Sequence, residues 1–517
     1  MSDARTPSGL DWRLAVLVFV AGAGTLSTEI AAARLLAPYF GNSTVVWANV
    51  IGLILVYLSV GYWLGGKVAD RRPRRVLLGA IVLAAAALIA ATPFAAHPIL
   101  HAAASGFDSV SVGVVVGSFL AALALFAIPV TLLGMVSPFA IRLALTKVAD
   151  AGSVSGRLYA LSTIGSILGT FVAALIAIEA FGTQRTMVGT AALLALAAAS
   201  LLGWRGAAPA LAIALLLLVP PGVTKSKAGL LYESESPYQY VSVVRWDDGT
   251  RVLQLNEGVA YHSMWRRDSV LTGQYWDLFL MLPPLLGREP RTMLVIGNAG
   301  GTIARAYGRF YPFVWIDGVE IDQKVTAAGR RFLGLGDNPR LRVITADGRP
   351  FLERTHKQYD LIVVDAYRQP YVPFYLATQE FFSLARAHLQ PGGVLAMNVA
   401  KVPDDARLTR AIETTLLDVF PQAWVWTGLD FSDLVLALDR PRPRSTLIRR
   451  LDDARGPLHR LVPLFRRDLV PARRDGDPLT DDRAPVEWLT NGMLLTQLAR
   501  GEGLEERSLP TAPDVGR

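Results

Sequence analysis

Glycines and acidic residues follow four successive apolar runs in the second half of the chain. Each run is short and rich in β-branched residues and leucine, as in a buried strand. Open parallel sheets place their ligands beyond the carboxyl ends of the strands, where side chains from separate strands meet. We therefore predict one shared binding site, formed by Gly297, Gly300 and Gly301 after the first run, Glu320 after the second, Asp347 and Gly348 after the third, and Asp365 after the fourth.

The spacing within this set indicates a nucleoside ligand. Glu320 lies about 20 residues beyond the glycine loop, where a carboxylate can bind both ribose hydroxyls. The loop lacks the full G-x-G-x-x-G spacing, and the chain has no G-x-x-x-x-G-K-[ST] motif, which argues against dinucleotides and triphosphates. S-adenosylmethionine and its decarboxylated form fit better, because they need ribose and adenine contacts but no phosphate cradle.

Composition argues against several other chemistries. The chain has no cysteine, which excludes disulfides, thiolate metal sites and cysteine nucleophiles. Its six histidines form neither H-E-x-x-H nor H-x₃-H, so we predict no metal. A net charge of +8 and a pI near 9.7 require no nucleic acid partner, because arginines beside apolar spans can face anionic lipid.

The first half of the chain is too apolar for a soluble domain. Over all 517 residues, 52% are hydrophobic and the mean hydropathy is +0.36, with most of the excess before about residue 220. Six apolar runs approach the roughly 20 residues that cross a bilayer: Leu14–Leu36, Val45–Leu64, Val76–Ala96, Val112–Leu133, Leu158–Ile178 and Met187–Leu202. A seventh apolar run, Ala207–Val219, is shorter and is interpreted as a short or interfacial helix, with a seventh span as the alternative.

Basic residues predict the orientation of these spans. One short loop, Lys67–Arg75, contains five lysines and arginines, and the loop two spans later contains Arg142, Lys147 and Arg157. Loops rich in lysine and arginine face the cytoplasm, so six spans place the C-terminal domain in the cytosol. We therefore predict a multi-pass protein of the cell (inner) membrane with a cytoplasmic catalytic domain.

The basic loop Lys67–Arg75 suggests which class of membrane protein the N-terminal region resembles. The segment Gly66–Arg75 resembles the signature between the second and third helices of major facilitator transporters, yet only half of that fold could fit. A half-transporter must dimerise or serve as an anchor or a lipid-facing substrate chamber, so a homodimer and membrane lipid are the expected partners. Glu29 and Arg34, in or near the first span, are candidate functional charges or a structural pair.

From Leu231 the pattern becomes that of a water-facing domain. Glu233–Val244 alternates as one β-strand, Asp247–Gly249 forms a turn, and Val252–Gly258 returns as a second strand, which predicts a small β-hairpin. Leu278–Leu286 is predicted to be helical. Strands and helices then alternate to about Leu438. The predicted domains are 1–224 in the membrane, 225–440 around the nucleotide site with the β element at 225–260, and 441–517 as an Arg- and Pro-rich extension packed on the catalytic domain.

An ordered series of motifs carries a family resemblance. The series contains S-P-Y-Q, L-x-L-x-x-G, a tyrosine helix at Tyr275, V-I-G-x-x-G-G-T, V-E-I-D, D-G-R-x-F-L, Y-D-x-I-x-x-D and L-x-P-G-G-V-L. In this order they resemble the spermidine synthase (polyamine aminopropyltransferase) family over about Leu231–Leu438. The whole chain is similar to the membrane-fused spermidine synthase-like proteins of bacteria. The implied fold is a multi-pass α-helical membrane domain plus an α/β Rossmann-like domain of the class I methyltransferase type.

The resemblance implies a reaction and a role for each matching residue. An amine attacks the aminopropyl carbon of decarboxylated S-adenosylmethionine, and methylthioadenosine leaves. The residues that match family positions are Asp365 as the catalytic carboxylate, Glu320 as the ribose ligand, Asp347 and Gly348 in the adenine region, Gly297, Gly300 and Gly301 in the cofactor loop, Tyr275 and Tyr367 in the amine channel, and Gln239 at a further substrate position. Tyr261, also predicted to bind substrate, stands where the family has a glutamine.

Several family carboxylates are missing from this chain. The glycine loop has no aspartate, D-x-x-D-P becomes Asp365-Ala-Tyr-Arg-Gln-Pro370, and Y-H-E becomes Tyr275-Trp-Asp277. Fewer acids weaken the attraction for a doubly charged amine, so putrescine is not assigned as the acceptor. Two other functions stay open: an S-adenosylmethionine-dependent methyltransferase acting on a membrane substrate, and a non-catalytic transporter or sensor that binds a nucleoside or polyamine.

Overall fold

The computed structural model divides the chain into two compact units, Met1–Lys225 and Ser226–Arg517. It describes residues 11–40, 44–105, 116–220, 227–256, 258, 260–367, 371–499 and 508–511.

The N-terminal unit is entirely helical over its described residues. Its helices are α1 Trp12–Phe40, α2 Thr44–Arg71, α3 Arg75–Ser105, α4 Ser118–Gly134, α5 Val136–Ala144, α6 Ala151–Val172, α7 Ile178–Leu202 and α8 Trp204–Leu215.

Among the described residues, five helices are long and apolar enough to cross a membrane. The last of them runs over Val148–Leu202 and contains both the fifth and the sixth predicted spans. Its 55 residues would extend about 80 Å at 1.5 Å per residue, more than twice a bilayer core of about 30 Å. The backbone leaves helical geometry at Gly182 (φ 82°, ψ 168°), a conformation that glycine adopts without a Cβ clash. Residues 112–115 of the fourth predicted span lie outside the described part.

Glycines allow α1 and α6 to pack closely. A Cβ added at Gly22 would overlap the carbonyl of Ser162, and one at Gly165 would overlap the carbonyl of Phe19. The Ser166 hydroxyl donates to the Gly22 carbonyl across the same crossing (3.2 Å). Small residues that bring two backbones together are typical of helix pairs in membranes.

The C-terminal unit begins with a four-stranded antiparallel sheet. Its strands are β1 Leu230–Glu235, β2 Tyr240–Arg245, β3 Arg251–Leu255 and β4 Tyr261–Trp265, paired in that order. The predicted hairpin is β2–β3, so the sheet has two further strands and extends beyond residue 260.

The prediction of one strand over Glu233–Val244 was wrong, because a turn interrupts it. The Ser236 N–H donates to the Gln239 carbonyl (2.9 Å), and the Ser236 hydroxyl accepts the N–H groups of Tyr238 (3.1 Å) and Gln239 (3.0 Å). Pro237 lacks an N–H and cannot continue the ladder, so S-P-Y-Q reverses the chain between β1 and β2.

The second sheet has eight strands in the order β12-β10-β11-β9-β8-β5-β6-β7. Strands β5 to β9 pair in parallel, whereas β10, β11 and β12 join the β9 side antiparallel. Strand order reverses at β5 and β8, which places a ligand crevice beyond their carboxyl ends. The predicted α/β fold is confirmed. The strands are β5 Thr292–Ile296, β6 Trp315–Glu320, β7 Leu341–Thr345, β8 Tyr359–Val364, β9 Leu389–Ala400, β10 Gln422–Trp426, β11 Ser432–Leu438 and β12 Leu469–Pro471.

Helices cover both faces of this sheet. Two buried apolar clusters lie on its two faces, one containing Trp276, Val295 and Val363 and the other Ile296, Val364 and Ile412. The segment predicted as helix over Leu278–Leu286 is a 3₁₀ helix at Tyr275–Met281 followed by one short α-helix. The α-helices of this unit are α9 Leu282–Leu286, α10 Thr302–Phe310, α11 Gln323–Phe332, α12 Gly348–Arg354, α13 Gln379–Ala387, α14 Arg407–Val419, α15 Arg444–Arg450, α16 Val462–Asp468 and α17 Val486–Ala499.

The chain beyond residue 440 packs against this α/β unit. Strand β12 pairs with β10 at the sheet edge, so this segment contains a strand as well as the expected loop and helix. Further on, Arg349 of α12 binds both carboxylate oxygens of Asp481 (2.7 and 2.6 Å), and the Thr378 hydroxyl donates to the same carboxylate (2.8 Å).

Candidate active site

Asp365 follows β8 directly, at the crevice where strand order reverses. Its carboxylate accepts three hydrogen bonds: from the Tyr275 hydroxyl (3.1 Å), the Trp276 indole N–H (3.2 Å) and the Asn398 amide (3.1 Å). Its own N–H donates to the Ile296 carbonyl at the end of β5 (2.8 Å). The backbone and the side chain of Asp365 are therefore both held in place by neighbouring elements.

Trp276 and Asn398 are partners of Asp365 that the sequence did not identify. Trp276 stands where the resembling family has histidine, and it lies in a 3₁₀ helix about 90 residues before Asp365. Asn398 is a polar residue in the otherwise apolar run Val394–Val399 near the carboxyl end of β9. That polar interruption, read with the strand order, is the signal that could have identified it.

Burial raises the pKa of Asp365 to about 7, and the hydrogen bonds from Asn398, Tyr275 and Trp276 oppose this rise. Removal from water disfavours the charged carboxylate, whereas donors stabilise it. Near neutral pH this carboxyl group therefore exchanges its proton readily, as a general base requires.

The ionisation of Asp365 should determine the acidic limb of the pH dependence of kcat. If ionised Asp365 is the base, kcat should fall as pH drops through about 7, because protonation removes the base. Trp276→Phe removes one donor to the carboxylate, so the pKa should rise and the limb should move to higher pH by roughly half to one unit. A pH–rate profile of both proteins measures this. A limb that stays in place in Trp276→Phe would contradict the assignment.

Two tyrosines flank the Asp365 carboxylate. The Tyr275 ring lies against the Trp276 ring, with centroids 4.6 Å apart, and burial raises the pKa of Tyr275 well above its usual value. The Tyr367 hydroxyl donates to the Asn398 carbonyl (2.9 Å) and accepts the Ala400 N–H (2.8 Å). Burial also raises the pKa of Tyr367 well above its usual value, so both phenols stay neutral. Their place in an amine channel stays a prediction.

Glu320 ends β6, and its carboxylate holds the glycine loop. One oxygen accepts the Ala299 N–H (2.9 Å) and the other accepts the Asp322 N–H (3.0 Å). The Ile321 N–H also stabilises this carboxylate, and since a carboxylate has about four acceptor positions, one remains for a ribose hydroxyl. Burial raises the pKa of Glu320 to about 7, against the effect of these N–H groups.

The glycine loop lies between Glu320 and Asp365. Gly297 (φ 85°) and Gly301 (φ 84°) have left-handed backbone, and a Cβ at Gly297 would overlap the Asp365 carbonyl. The Gly300 N–H donates to the Ser263 hydroxyl (2.8 Å), and a Cβ there would overlap Leu333. These glycines thus allow close packing of protein against protein. The Asn298 amide in the same loop is buried, and neither of its polar atoms has a partner among the described residues.

Asp347 and Gly348 lie beyond β7, beside the β6 end. Asp347 caps α12 by accepting the Arg349 N–H (3.1 Å), and its second oxygen accepts the Tyr375 hydroxyl (2.9 Å). A Cβ at Gly348 would overlap the Ile296 side chain. The Ala346 N–H donates to the Glu320 carbonyl (3.1 Å), so both strand ends share one edge.

Gln239 lies in the turn before β2, and Tyr261 is the first residue of β4 in the first sheet. The Gln239 amide donates to the Asp322 carboxylate (3.2 Å), which also accepts the Ser236 hydroxyl (2.6 Å), so Gln239 is connected to the Glu320 side. Tyr261 packs edge-on against Trp246, with ring centroids 5.2 Å apart. Their roles in substrate binding stay predictions.

Asp277, which replaces a family glutamate, does not reach the Asp365 group. Its carboxylate accepts the N–H groups of Thr272 (3.0 Å) and Gly273 (2.8 Å) and the Thr511 hydroxyl (2.6 Å). It therefore holds the loop before the 3₁₀ helix. Within the described ranges, no group of three or more His, Asp or Glu side chains could hold a metal ion.

Comparisons with known proteins show what the C-terminal unit is similar to. The sequence model of the spermine/spermidine synthase domain matches residues 275–427. The probable polyamine aminopropyl transferase of Bifidobacterium longum is 39% identical over 196 residues, which cover 38% of this chain and 43% of that protein. The polyamine aminopropyltransferase of Vibrio vulnificus is 33% identical over 117 residues, 22% of this chain and 39% of that protein. The chain thus matches only about two fifths of the length of these relatives.

A solved structure of a probable spermidine synthase from Corynebacterium glutamicum aligns with 49% of this chain and 98% of its own, at 17% identity and a TM-score of 0.38. The range 275–427 contains Asp365, Tyr275, Trp276 and Asn398. Residues 275–427 are therefore a spermidine synthase domain, and the C-terminal unit is a homologue of the polyamine aminopropyltransferases.

Proposed function

We propose that this protein is a membrane-anchored aminopropyltransferase that uses decarboxylated S-adenosylmethionine and an amine acceptor. The Asp365 carboxylate carries the proposal: it directly follows β8, is oriented by three donors and has a pKa of about 7 within a spermidine synthase domain. A free amine is largely protonated at neutral pH and must lose a proton to attack. Asp365 attracts the ammonium form and accepts that proton.

The donor molecule fits the residues around the glycine loop. Bound there, it supplies an aminopropyl carbon activated by a sulfonium leaving group. The Glu320 carboxylate has an acceptor position left for a ribose hydroxyl. The Asn298 amide, which has no partner among the described residues, supplies a buried polar group in the same loop. Asp347 and Gly348 border the adenine position at the next strand end.

Product analysis of the purified chain tests this function. We expect methylthioadenosine to form when decarboxylated S-adenosylmethionine and an amine are both present. Release of S-adenosylhomocysteine from S-adenosylmethionine with membrane lipid would instead favour a methyltransferase. Calorimetric binding of methylthioadenosine without any turnover would favour a sensor or transporter.

The N-terminal unit is proposed to anchor the enzyme with its catalytic domain in the cytoplasm. The five long apolar helices and the basic loop after α2 support this orientation. A homodimer through this unit and contact with anionic lipid belong to the same proposal.

Cysteine labelling can test this topology, because the chain has no native cysteine. Single cysteines at Arg72, Arg157 and Lys357 should resist a membrane-impermeant thiol reagent in intact cells and react after lysis. If position 357 is labelled from outside while position 72 is protected, Ala207–Val219 crosses the membrane as a further span. The catalytic domain would then lie outside the cytosol.

A further inference from the structure

The segment 508–511, beyond α17, is bonded to the start of the 3₁₀ helix and to the loop before it. The Thr511 hydroxyl donates to the Asp277 carboxylate (2.6 Å), and the Leu509 N–H donates to the Gly273 carbonyl (2.7 Å). Thr511 is only 3% exposed and Leu509 only 4%. The segment is therefore packed into the C-terminal unit and is attached there by two separate hydrogen bonds.

Asp277 draws this segment and the loop together around one buried carboxylate. It accepts the Thr511 hydroxyl together with the Thr272 N–H (3.0 Å) and the Gly273 N–H (2.8 Å). Burial raises the pKa of Asp277, and the hydrogen bonds from Thr511, Thr272 and Gly273 oppose this rise. Loss of the Thr511 hydroxyl would leave a buried carboxylate with fewer donors, which costs more than the loss of a hydrogen bond at the surface.

The two ends of the 3₁₀ helix are held by different parts of the chain. Near its end, two backbone carbonyls accept the hydroxyls of Tyr307 (2.9 Å) and Tyr311 (2.8 Å) from α10. Its first two residues are the hydroxyl and indole donors to Asp365, and Asp277 follows them directly. The position of these two donors therefore depends on the contact between Asp277 and Thr511.

We propose that the 508–511 segment positions the two aromatic donors to Asp365 for aminopropyl transfer. This rests on the proposed function. Leu509 lies in the same buried apolar cluster as Trp276, so the segment and that donor pack on one face of the sheet. Without these donors the carboxylate can turn away from the amine, and a misplacement of about 1 Å can slow a reaction about 100-fold. Thr511 and Leu509 are thus positioning residues.

Thr511→Val is the main test, because valine keeps the size of threonine but cannot donate to Asp277. We would measure the full-length protein in detergent with decarboxylated S-adenosylmethionine and the better acceptor of 1,4-diaminobutane and 1-aminobutane. We expect kcat to fall about tenfold or more, while the dissociation constant for methylthioadenosine stays within about twofold of wild type. Thr511→Ser keeps the hydroxyl and should restore kcat to within about twofold of wild type.

Three further variants show whether the effect passes through the donors. In a Trp276→Phe background, where one donor is already lost, Thr511→Val should cost less than in the wild type, because both changes act on the same contact. Leu509→Ala weakens the apolar attachment but keeps every hydrogen bond of Asp277, so it stays informative if Thr511→Val fails to fold. Thr490→Val is the matched control, because buried Thr490 donates to a carbonyl within α17 (2.9 Å).

The indole N–H signal of Trp276 gives a measurement that does not depend on turnover. In ¹⁵N-tryptophan spectra it is identified by its loss in Trp276→Phe, and it should move in Thr511→Val but not in Thr511→Ser or Thr490→Val. If neither amine is turned over, aminopropyl transfer fails, whereas a moved signal still supports the positioning role.

Three results would overturn the inference. One is a Trp276 signal that stays in place in a folded Thr511→Val variant. Another is kcat within about twofold of wild type in both Thr511→Val and Leu509→Ala. The third is an equal cost of Thr511→Val with and without Trp276→Phe, which would mean that Thr511 acts elsewhere.

Discussion

Replacing Asp365 with asparagine is expected to lower kcat about 100-fold or more while leaving nucleoside affinity nearly unchanged. Asparagine has almost the same shape, but it cannot accept a proton from the amine. The Trp276 and Asn398 donors would both face the new side chain, and one of them would meet an amide N–H instead of an oxygen. The loss of a base should therefore accompany a modest loss of stability.

Steady-state kinetics and calorimetry with methylthioadenosine measure the two parts of this prediction. Asp268→Asn is the matched control, because Asp268 is an exposed aspartate elsewhere in the same domain. Thermal unfolding shows whether the Asp365 variant keeps its fold. Turnover within a few-fold of wild type would remove Asp365 from the catalytic role.

Replacing Glu320 with alanine is expected to raise the dissociation constant for methylthioadenosine by about 30-fold or more. A carboxylate that binds ribose hydroxyls contributes charge-assisted hydrogen bonds, and losing them costs roughly 2 kcal/mol or more. Burial raises the pKa of Glu320 to about 7, so wild-type affinity should also increase as pH rises through 7 and the carboxylate ionises. In Glu320→Ala this pH dependence should disappear.

The control for this variant is Glu289→Ala, which removes an exposed glutamate that pairs with Arg455 on the surface. Glu320 also holds the Ala299 and Asp322 N–H groups, so the alanine variant loosens the loop itself. Glu320→Gln keeps the size of the side chain and one acceptor oxygen, and it should fall between wild type and alanine. Unchanged affinity in a folded alanine variant would exclude the ribose assignment.

Some features of the fold and the site could be predicted from the sequence, and others could not. The apolar spans, the parallel strands and the acids at their ends were predictable, because each depends on residues close together in the chain. Glu320 and Asp365 could be predicted as site residues, because the end of a strand is visible in the sequence and open parallel sheets bind ligands there. The S-P-Y-Q segment was misread as strand, because alternation outweighed the turn that Ser236 and Pro237 form.

Contacts between distant segments were decided only by the tertiary structure. Trp276 and Asn398 both bond Asp365, from 89 and 33 residues away along the chain, and Thr511 bonds Asp277 from 234 residues away. No local periodicity encodes such pairs. The neutralisation of Asp433 by Lys401 likewise needs β9 and β11 to lie side by side. The sequence by itself determined which elements form and which acids end them, because propensity and hydrophobic period act over a few residues. Only the packed sheet decided the partners, burial and net charge around those acids, since these depend on which strands become neighbours.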